Sequence, residues 1–215
     1  MLEGATTVFL ADDHAMVREG LAALVSSNPL FKVVGQCGDG LEVLEKVRQT
    51  KPDVVVLDIT MPGLNGLDLC REINRKAKGP AILILTIHDD EEFVARALEE
   101  GASGYLLKEA AAEQLLEALA VVARGEVYMG QGVSKNVIHR LSAHRVDPYS
   151  RLTTRERQVM QLIAEGKTSR RIAGELGLAV KTVDTHRCRL MRKLDIHDQT
   201  GLVKFALRKG IVSLG

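Results

Sequence analysis

The 215-residue sequence predicts an α/β protein: a doubly wound, five-stranded parallel sheet, followed by a second, smaller all-α domain. Three observations carry this prediction. Short apolar runs alternate with amphipathic stretches across residues 7–124, as strands alternate with helices in βαβ units. The run Val54-Val55-Val56-Leu57 is apolar at every position, which fits a strand covered by helices on both faces. Charge is also divided unevenly: residues 1–150 carry 15 Lys and Arg against 22 Asp and Glu, a net of −7, whereas residues 151–215 carry 14 against 6, a net of +8. A basic second part points to a polyanionic partner, most simply nucleic acid.

The elements follow in order. A strand at 7–11 runs into Asp12 and Asp13, and a helix over 15–26 places Val17, Leu21, Leu24 and Val25 on one face before Asn28-Pro29 stops it. Strand 32–36 and helix 41–49 come next. The central strand then ends at Asp58, ahead of a Pro62-Gly63 turn. Helix 67–75, strand 81–86, helix 91–100, strand 104–107 and helix 111–124 complete the first domain, with Thr86 and Lys108 at the ends of the last two strands.

Parallel strands bring their carboxyl ends to one edge of the sheet, where open α/β sheets bind ligands. Taken alone, Asp58 reads as a solvated strand-end acid or a helix cap. Its company is more telling, because Asp12, Asp13, Asp58, Thr86 and Lys108 all fall on that edge. Carboxylates about 4 Å apart repel by roughly 4 kcal/mol per pair at an effective dielectric near 20, which calls for a cation. Mg²⁺ suits a few carboxylates, a main-chain carbonyl and water, and leaves room for a phosphate oxygen. Lys108 offers a point charge and Thr86 a hydroxyl to a phosphoryl group on Asp58.

Over residues 5–125 the sequence resembles the receiver domain of bacterial two-component response regulators. The matching residues are Asp12-Asp13, Leu57-Asp58-Ile59-Thr60-Met61-Pro62-Gly63 with Asn65-Gly66, Thr86, and Tyr105 three residues before Lys108. The resemblance implies that Asp58 is the phosphoacceptor and that Asp12, Asp13, Asp58 and the main-chain carbonyl of Thr60 hold Mg²⁺. It makes Thr86 the switch hydroxyl, Tyr105 the aromatic that turns inward behind it, and Lys108 the phosphoryl contact. It also implies the flavodoxin-like strand order 2-1-3-4-5. Glu109 stands where many receivers have proline after the lysine.

The receiver is assigned residues 1–126 and a linker residues 127–150, where periodicity weakens, part of 134–141 reads as helix, and Asp147-Pro148-Tyr149-Ser150 reads as a turn. Residues 151–215 then form the second domain. Thr153 is placed to cap a helix carrying Val159, Leu162 and Ile163, which Gly166 ends; Thr168 caps a short helix with Ile172, Ala173 and Leu176 inward. Gly177-Leu178 turns the chain into a helix over 180–194, giving a helix-turn-helix whose second helix enters the major groove. Val183, Leu190, Met191 and Leu194 can pack inward there. Lys181, Asp184, Thr185, Cys188 and Arg192 recur on the opposite face, facing base edges, and Arg187, Arg189 and Lys193 flank them, facing phosphates. The alternative is a basic, solvated surface helix.

Residues 152–210 are similar to the tetrahelical output domain of NarL/FixJ (LuxR-type) regulators. The resemblance rests on Leu152-Thr153-x-Arg155-Glu156, Ile163-Ala164-Glu165-Gly166-Lys167-Thr168, Ile172-Ala173, Leu176, Lys181-Thr182-Val183-x-x-His186 and Lys193-Leu194. It implies that the closing helix, 199–208 with Leu202, Phe205 and Ala206, is where DNA-bound subunits pair. Two departures stand out: Ala179 replaces the serine that usually caps the recognition helix, a loss of about 1 kcal/mol, and Cys188 occupies a position that is often polar or basic.

The resulting expectation is a DNA-binding transcriptional regulator, not an enzyme, to which a sensor histidine kinase donates a phosphoryl group at Asp58 with Mg²⁺. Its partners would be that kinase, double-stranded promoter DNA and a second copy of the chain when phosphorylated or DNA-bound, with RNA polymerase a candidate. A phosphohydrolase using Asp58 would typically have a second Asp where Thr60 stands, and a quorum-type ligand sensor would want aromatic residues, which make up 3% of the chain with no Trp. Cys37, Cys70 and Cys188 form no Cys-x-x-Cys pair, so neither a disulfide framework nor a zinc site is indicated. With no basic start before an apolar core and no run of spanning length, a bacterial cytoplasmic location without a membrane partner is expected.

Overall fold

The computed structural model describes residues 4–75, 79–133 and 148–212, which fall into two compact units. The helix expected within residues 134–141 lies outside the described residues.

The first unit alternates β1 (Thr6–Ala11), α1 (Ala15–Ser26), β2 (Phe31–Cys37), α2 (Gly40–Thr50), β3 (Val54–Leu57), α3 (Gly66–Asn74), β4 (Ala81–Thr86), α4 (Glu91–Glu99), β5 (Gly104–Leu107), α5 (Ala111–Ala123) and β6 (Tyr128–Met129). Every strand pair is parallel, in the order β2-β1-β3-β4-β5-β6. All four residues of β3 are buried, as its uniform hydrophobicity requires. One core layer joins Leu21 and Val25 of α1 and Leu115, Leu119 and Val122 of α5 to Val8, Leu10, Val54, Val56 and Leu83 of the sheet. At roughly 1.5–3 kcal/mol for each large apolar side chain removed from water, this layer anchors the sheet whose edge carries the polar residues.

Two expectations about this unit need correction. The sheet has a sixth strand, in a stretch assigned to the linker: Gly125, at φ +80°, reverses the chain after α5, and Tyr128 and Gly130 then donate their N–H groups to the carbonyls of Ser103 (3.0 Å) and Tyr105 (2.9 Å). Two residues are too few to show a strand's alternation in sequence. In α1, Leu21 and Val25 are buried and Leu24 packs against the same core, but Val17 is exposed. The helix meets the sheet only from its second turn onward.

The second unit opens with a 3₁₀ turn (Pro148–Arg151), followed by α6 (Thr154–Ala164), α7 (Ser169–Leu176), α8 (Val180–Leu194) and α9 (Gln199–Arg208). Thr153 and Glu156 form a reciprocal capping box at the start of α6, and Thr168 caps α7. Gly177 takes the left-handed conformation (φ +64°) that a residue with a Cβ adopts only at a cost, and so makes the tight turn between α7 and α8. Val159, Leu162, Ile172, Val183, Leu190, Leu202 and Ala206 share one core. Tyr149, also assigned to the linker, belongs to it: its buried ring lies 4.4 Å from the Arg157 guanidinium and 6.4 Å from the Phe205 ring. A single aromatic in a polar turn gives no periodic signal in sequence.

Candidate functional site

Strand register assembles the rim. Ala11 pairs with Leu57, so the next residues, Asp12 and Asp58, emerge side by side, and Asp58 N–H donates to the Ala11 carbonyl (2.8 Å). Asp12 N–H is held in turn by the Cys37 carbonyl at the end of β2 (3.1 Å). Thr86 pairs with Leu107, which delivers Lys108 to the same edge. Its Nζ lies 2.7 Å from Asp12 Oδ2 and 2.7 Å from Asp58 Oδ2, bridging two carboxylates that are only 2% and 3% exposed. On the far side of Asp58, Gly66 donates its N–H to the Ile59 carbonyl (2.9 Å), and a Cβ there would overlap the Asp58 carbonyl oxygen. Glycine at this position is a requirement of close backbone approach.

Burial pushes the Asp58 carboxyl up to about 6; Lys108 and the Thr60 N–H (3.3 Å from Oδ1) oppose this, and the Asp12 charge adds to it. Burial alone would lower Lys108, but Asp58 and Asp12 outweigh it and hold the ammonium above its ordinary value. The Asp58 carboxyl thus titrates close to neutrality, with Lys108 the main group favouring its ionised form.

Asp12, Asp13, His14 and Asp58 each offer a donor atom within 4.8 Å of the others. Donors on opposite sides of an ion bound at 2.0–2.1 Å stand about 4 Å apart, so the cluster has the size a small divalent cation needs, and its carboxylates outnumber the lysine that balances them. The residues present therefore fit Mg²⁺. His14 escaped the sequence analysis although it directly follows the acidic pair; its Nδ1 is 2.7 Å from Asp13 Oδ1 and its N–H donates to Asp12 Oδ1 (2.8 Å).

Thr86 and Tyr105 are both fully buried and meet at a second overlooked residue, His88. The Thr86 hydroxyl accepts from His88 N–H (3.3 Å), and the Tyr105 hydroxyl donates to the His88 carbonyl (2.8 Å). The His88 ring lies 3.3 Å from the Thr60 hydroxyl and stacks on Phe93 of α4, with centroids 4.3 Å apart. Burial holds this imidazole below its usual range against the pull of Asp90 and Asp89. The rim is thereby connected to α4 through one loop residue, whose only sequence signal is its place two residues after Thr86.

In the second unit, Lys181, Asp184, Thr185, Cys188, Arg189 and Arg192 are exposed on α8, while Val183, Leu190 and Leu194 are buried. Arg187 is half-buried and donates to Gln199 Oε1 (3.3 Å). Lys193 stands apart from the other basic residues. Its Nζ contacts Glu156 Oε2 (2.6 Å) and the Arg151 carbonyl (3.1 Å), so it ties α8 to the start of α6 and its charge is already engaged. Ala179 makes no side-chain cap to α8, as its methyl group dictates.

With this geometry in place, family comparison agrees unit by unit. Residues 8–120 match the response regulator receiver domain, and residues 150–206 match the luxR family of bacterial regulatory proteins. A receiver followed by such an output domain defines a two-component response regulator. Within that class the chain belongs to the NarL/FixJ family. It is 37% identical to the transcriptional regulatory protein LiaR of Bacillus subtilis (strain 168), over 96% of this chain and 99% of that protein. It is also 37% identical to the oxygen regulatory protein NreC of Staphylococcus haemolyticus (strain JCSC1435), over 95% and 98%. Among solved structures, the response regulator ChrA of a heme-sensing two-component system aligns over 97% of this chain and all of that one, with 33% identity and a TM-score of 0.53. Two RcsB dimers bound to two parallel DNAs align over 94% and 98%, with 26% identity and a TM-score of 0.59. No helix of the described residues is long and apolar enough to cross a membrane.

Proposed function

We propose that the protein is a transcription regulator whose binding to duplex promoter DNA through α8 is controlled by phosphorylation of Asp58 from a sensor histidine kinase. The observation that carries this reading is the Lys108 bridge between Asp58 and Asp12 at the carboxyl edge of the sheet. An ionised Asp58 oxygen attacks the phosphorus of a phosphohistidine, the P–N bond breaks, and the imidazole leaves. Asp12, Asp13, Asp58 and the Thr60 carbonyl would hold Mg²⁺, which when bound neutralises charge on the transferring phosphoryl oxygens. Lys108 is released from part of its pairing to contact the new dianion, and the Thr86 hydroxyl reorients toward it. The Thr86 move pulls on His88, and through it on Tyr105 and α4. The modified chain pairs on DNA through α9. Recruitment of RNA polymerase and a bacterial cytoplasmic location follow from the same reading. RcsB supports the output half, having been solved on promoter DNA with a phosphomimetic BeF₃⁻.

The test is incubation of the full chain with phosphoramidate and Mg²⁺, read by intact mass. Wild type should gain the mass of one phosphoryl group and Asp58→Asn none; equal labelling of both would refute the assignment.

A further inference from the structure

Asp184 is the sole acidic residue of α8, beside five Lys and Arg, and it stands on the exposed face between Lys181 and Cys188. A carboxylate turned toward a polyanion is repelled, so its place there calls for a hydrogen-bond donor on the partner. Its own protein does not neutralise it: among the described residues no Lys or Arg forms an ion pair with Asp184, although Lys181 is three residues away. What it does have is a fixed orientation. Ser169 Oγ donates to Asp184 Oδ1 at 2.9 Å, leaving Oδ2 to accept from outside. Ser169 is not the cap of its helix; that role belongs to Thr168, whose hydroxyl accepts from Arg171 N–H. The serine hydroxyl therefore acts on the neighbouring helix.

We propose that Asp184 selects cytosine in the major groove and that Ser169 is the positioning residue that aims its carboxylate. The inference rests on the duplex-binding reading of α8. Guanine presents N7 and O6 and thymine presents O4, all acceptors that repel a carboxylate. Adenine offers the N6 donor, but beside the N7 acceptor. Cytosine offers an amino donor, N4, and no acceptor on its own major-groove edge, the neighbouring acceptor being O6 of the guanine it pairs with. An acid at this point thus penalises three bases and satisfies the fourth.

Selection of bound duplexes from a randomised library tests this, using the full chain treated with phosphoramidate and Mg²⁺. Wild type should enrich cytosine at one position of each half-site by about five- to tenfold, the scale of a single base contact. Asp184→Ala should level that position and tighten binding to unrelated duplexes, since a repelled charge is gone. Asp184→Asn should move the preference to adenine, whose N6 and N7 match a carboxamide. Ser169→Ala should weaken the same position several-fold and leave the others unchanged, with Ser169→Thr restoring it. A purely structural serine would instead lower affinity evenly at all positions. If Asp184→Ala and Asp184→Asn recover the wild-type motif, the inference is overturned while duplex binding stands. If wild type enriches no sequence, the duplex reading falls and takes this inference with it.

Discussion

The rim of the sheet and the outward face of α8 both concentrate charge, yet they are built in opposite ways. At the rim, Asp12 and Asp58 are buried, and the half-buried Lys108 fixes both through contacts of 2.7 Å. On α8 the charges stand in water and, apart from Lys193 and Arg187, the described residues give the basic ones no protein partner. Buried charges are set by the fold and act on a small group that must come to them. Exposed charges wait for a surface large enough to engage many at once, and each contributes affinity that salt weakens.

The contrast can be broken most forcefully at Gly66. Gly66→Ala drives a methyl group into the Asp58 carbonyl, so the rim must shift. Thermal unfolding should show the first unit destabilised by about 3 kcal/mol, the upper range for overpacking, with the second unit's transition unchanged.

A second prediction concerns pH. The folded state raises Asp58 from 3.8 to about 6, so ionised Asp58 is worse off in the fold than in the unfolded chain. Wild type should therefore gain stability as pH falls from above 6 to below 4, and lose it as pH rises through that window. Asp58→Asn, lacking the charge, should be the more stable protein at pH 7.5 by at most about 3 kcal/mol, with the gap closing by pH 4. Denaturant melts at several pH values check this, and a constant gap would count against it.

Lys193 separates the two kinds of charge within one helix. Lys193→Met leaves Glu156, 3% exposed, without its ammonium, and should destabilise the second unit by about 2 kcal/mol. Burial pushes Glu156 up, but Lys193 and the Thr153 N–H more than offset this and hold it below its ordinary value; the stability it lends is present at neutral pH and is lost as pH falls through that lowered value. Arg192→Ala, by contrast, should leave stability alone and reduce the salt slope of DNA binding by about 1. The smallest effect is at the start of α8, where Ala179→Ser should supply the missing cap and stabilise by about 1 kcal/mol in a thermal melt.

The same contrast explains what could be read from sequence. Asp12, Asp58, Thr86 and Lys108 were legible because strand ends are: once five apolar runs imply a parallel sheet, topology alone brings their last residues to one edge. The helices of the second unit were legible from caps and Gly177. His14 and His88 were not, because both act from loops through contacts that no periodicity encodes. The contact between Lys193 and Glu156 was not legible either, because helical spacing gives a direction from the axis but not the acid that a neighbouring helix presents there. Tyr128 and Tyr149 lay beyond the reach of pattern, one in a two-residue strand and the other in a turn whose partner, Arg157, is reached only in three dimensions.

The central claim is that a change at the buried rim governs the exposed face. The direct measurement is the Kd of the full chain for a duplex of its own selected sequence, with and without phosphoramidate and Mg²⁺, for wild type and Asp58→Asn. The account predicts that wild type tightens at least about tenfold, a differential of roughly 1.4 kcal/mol, while Asp58→Asn does not respond. Equal tightening of both proteins, or none in wild type that has been shown to carry the phosphoryl group, would contradict it.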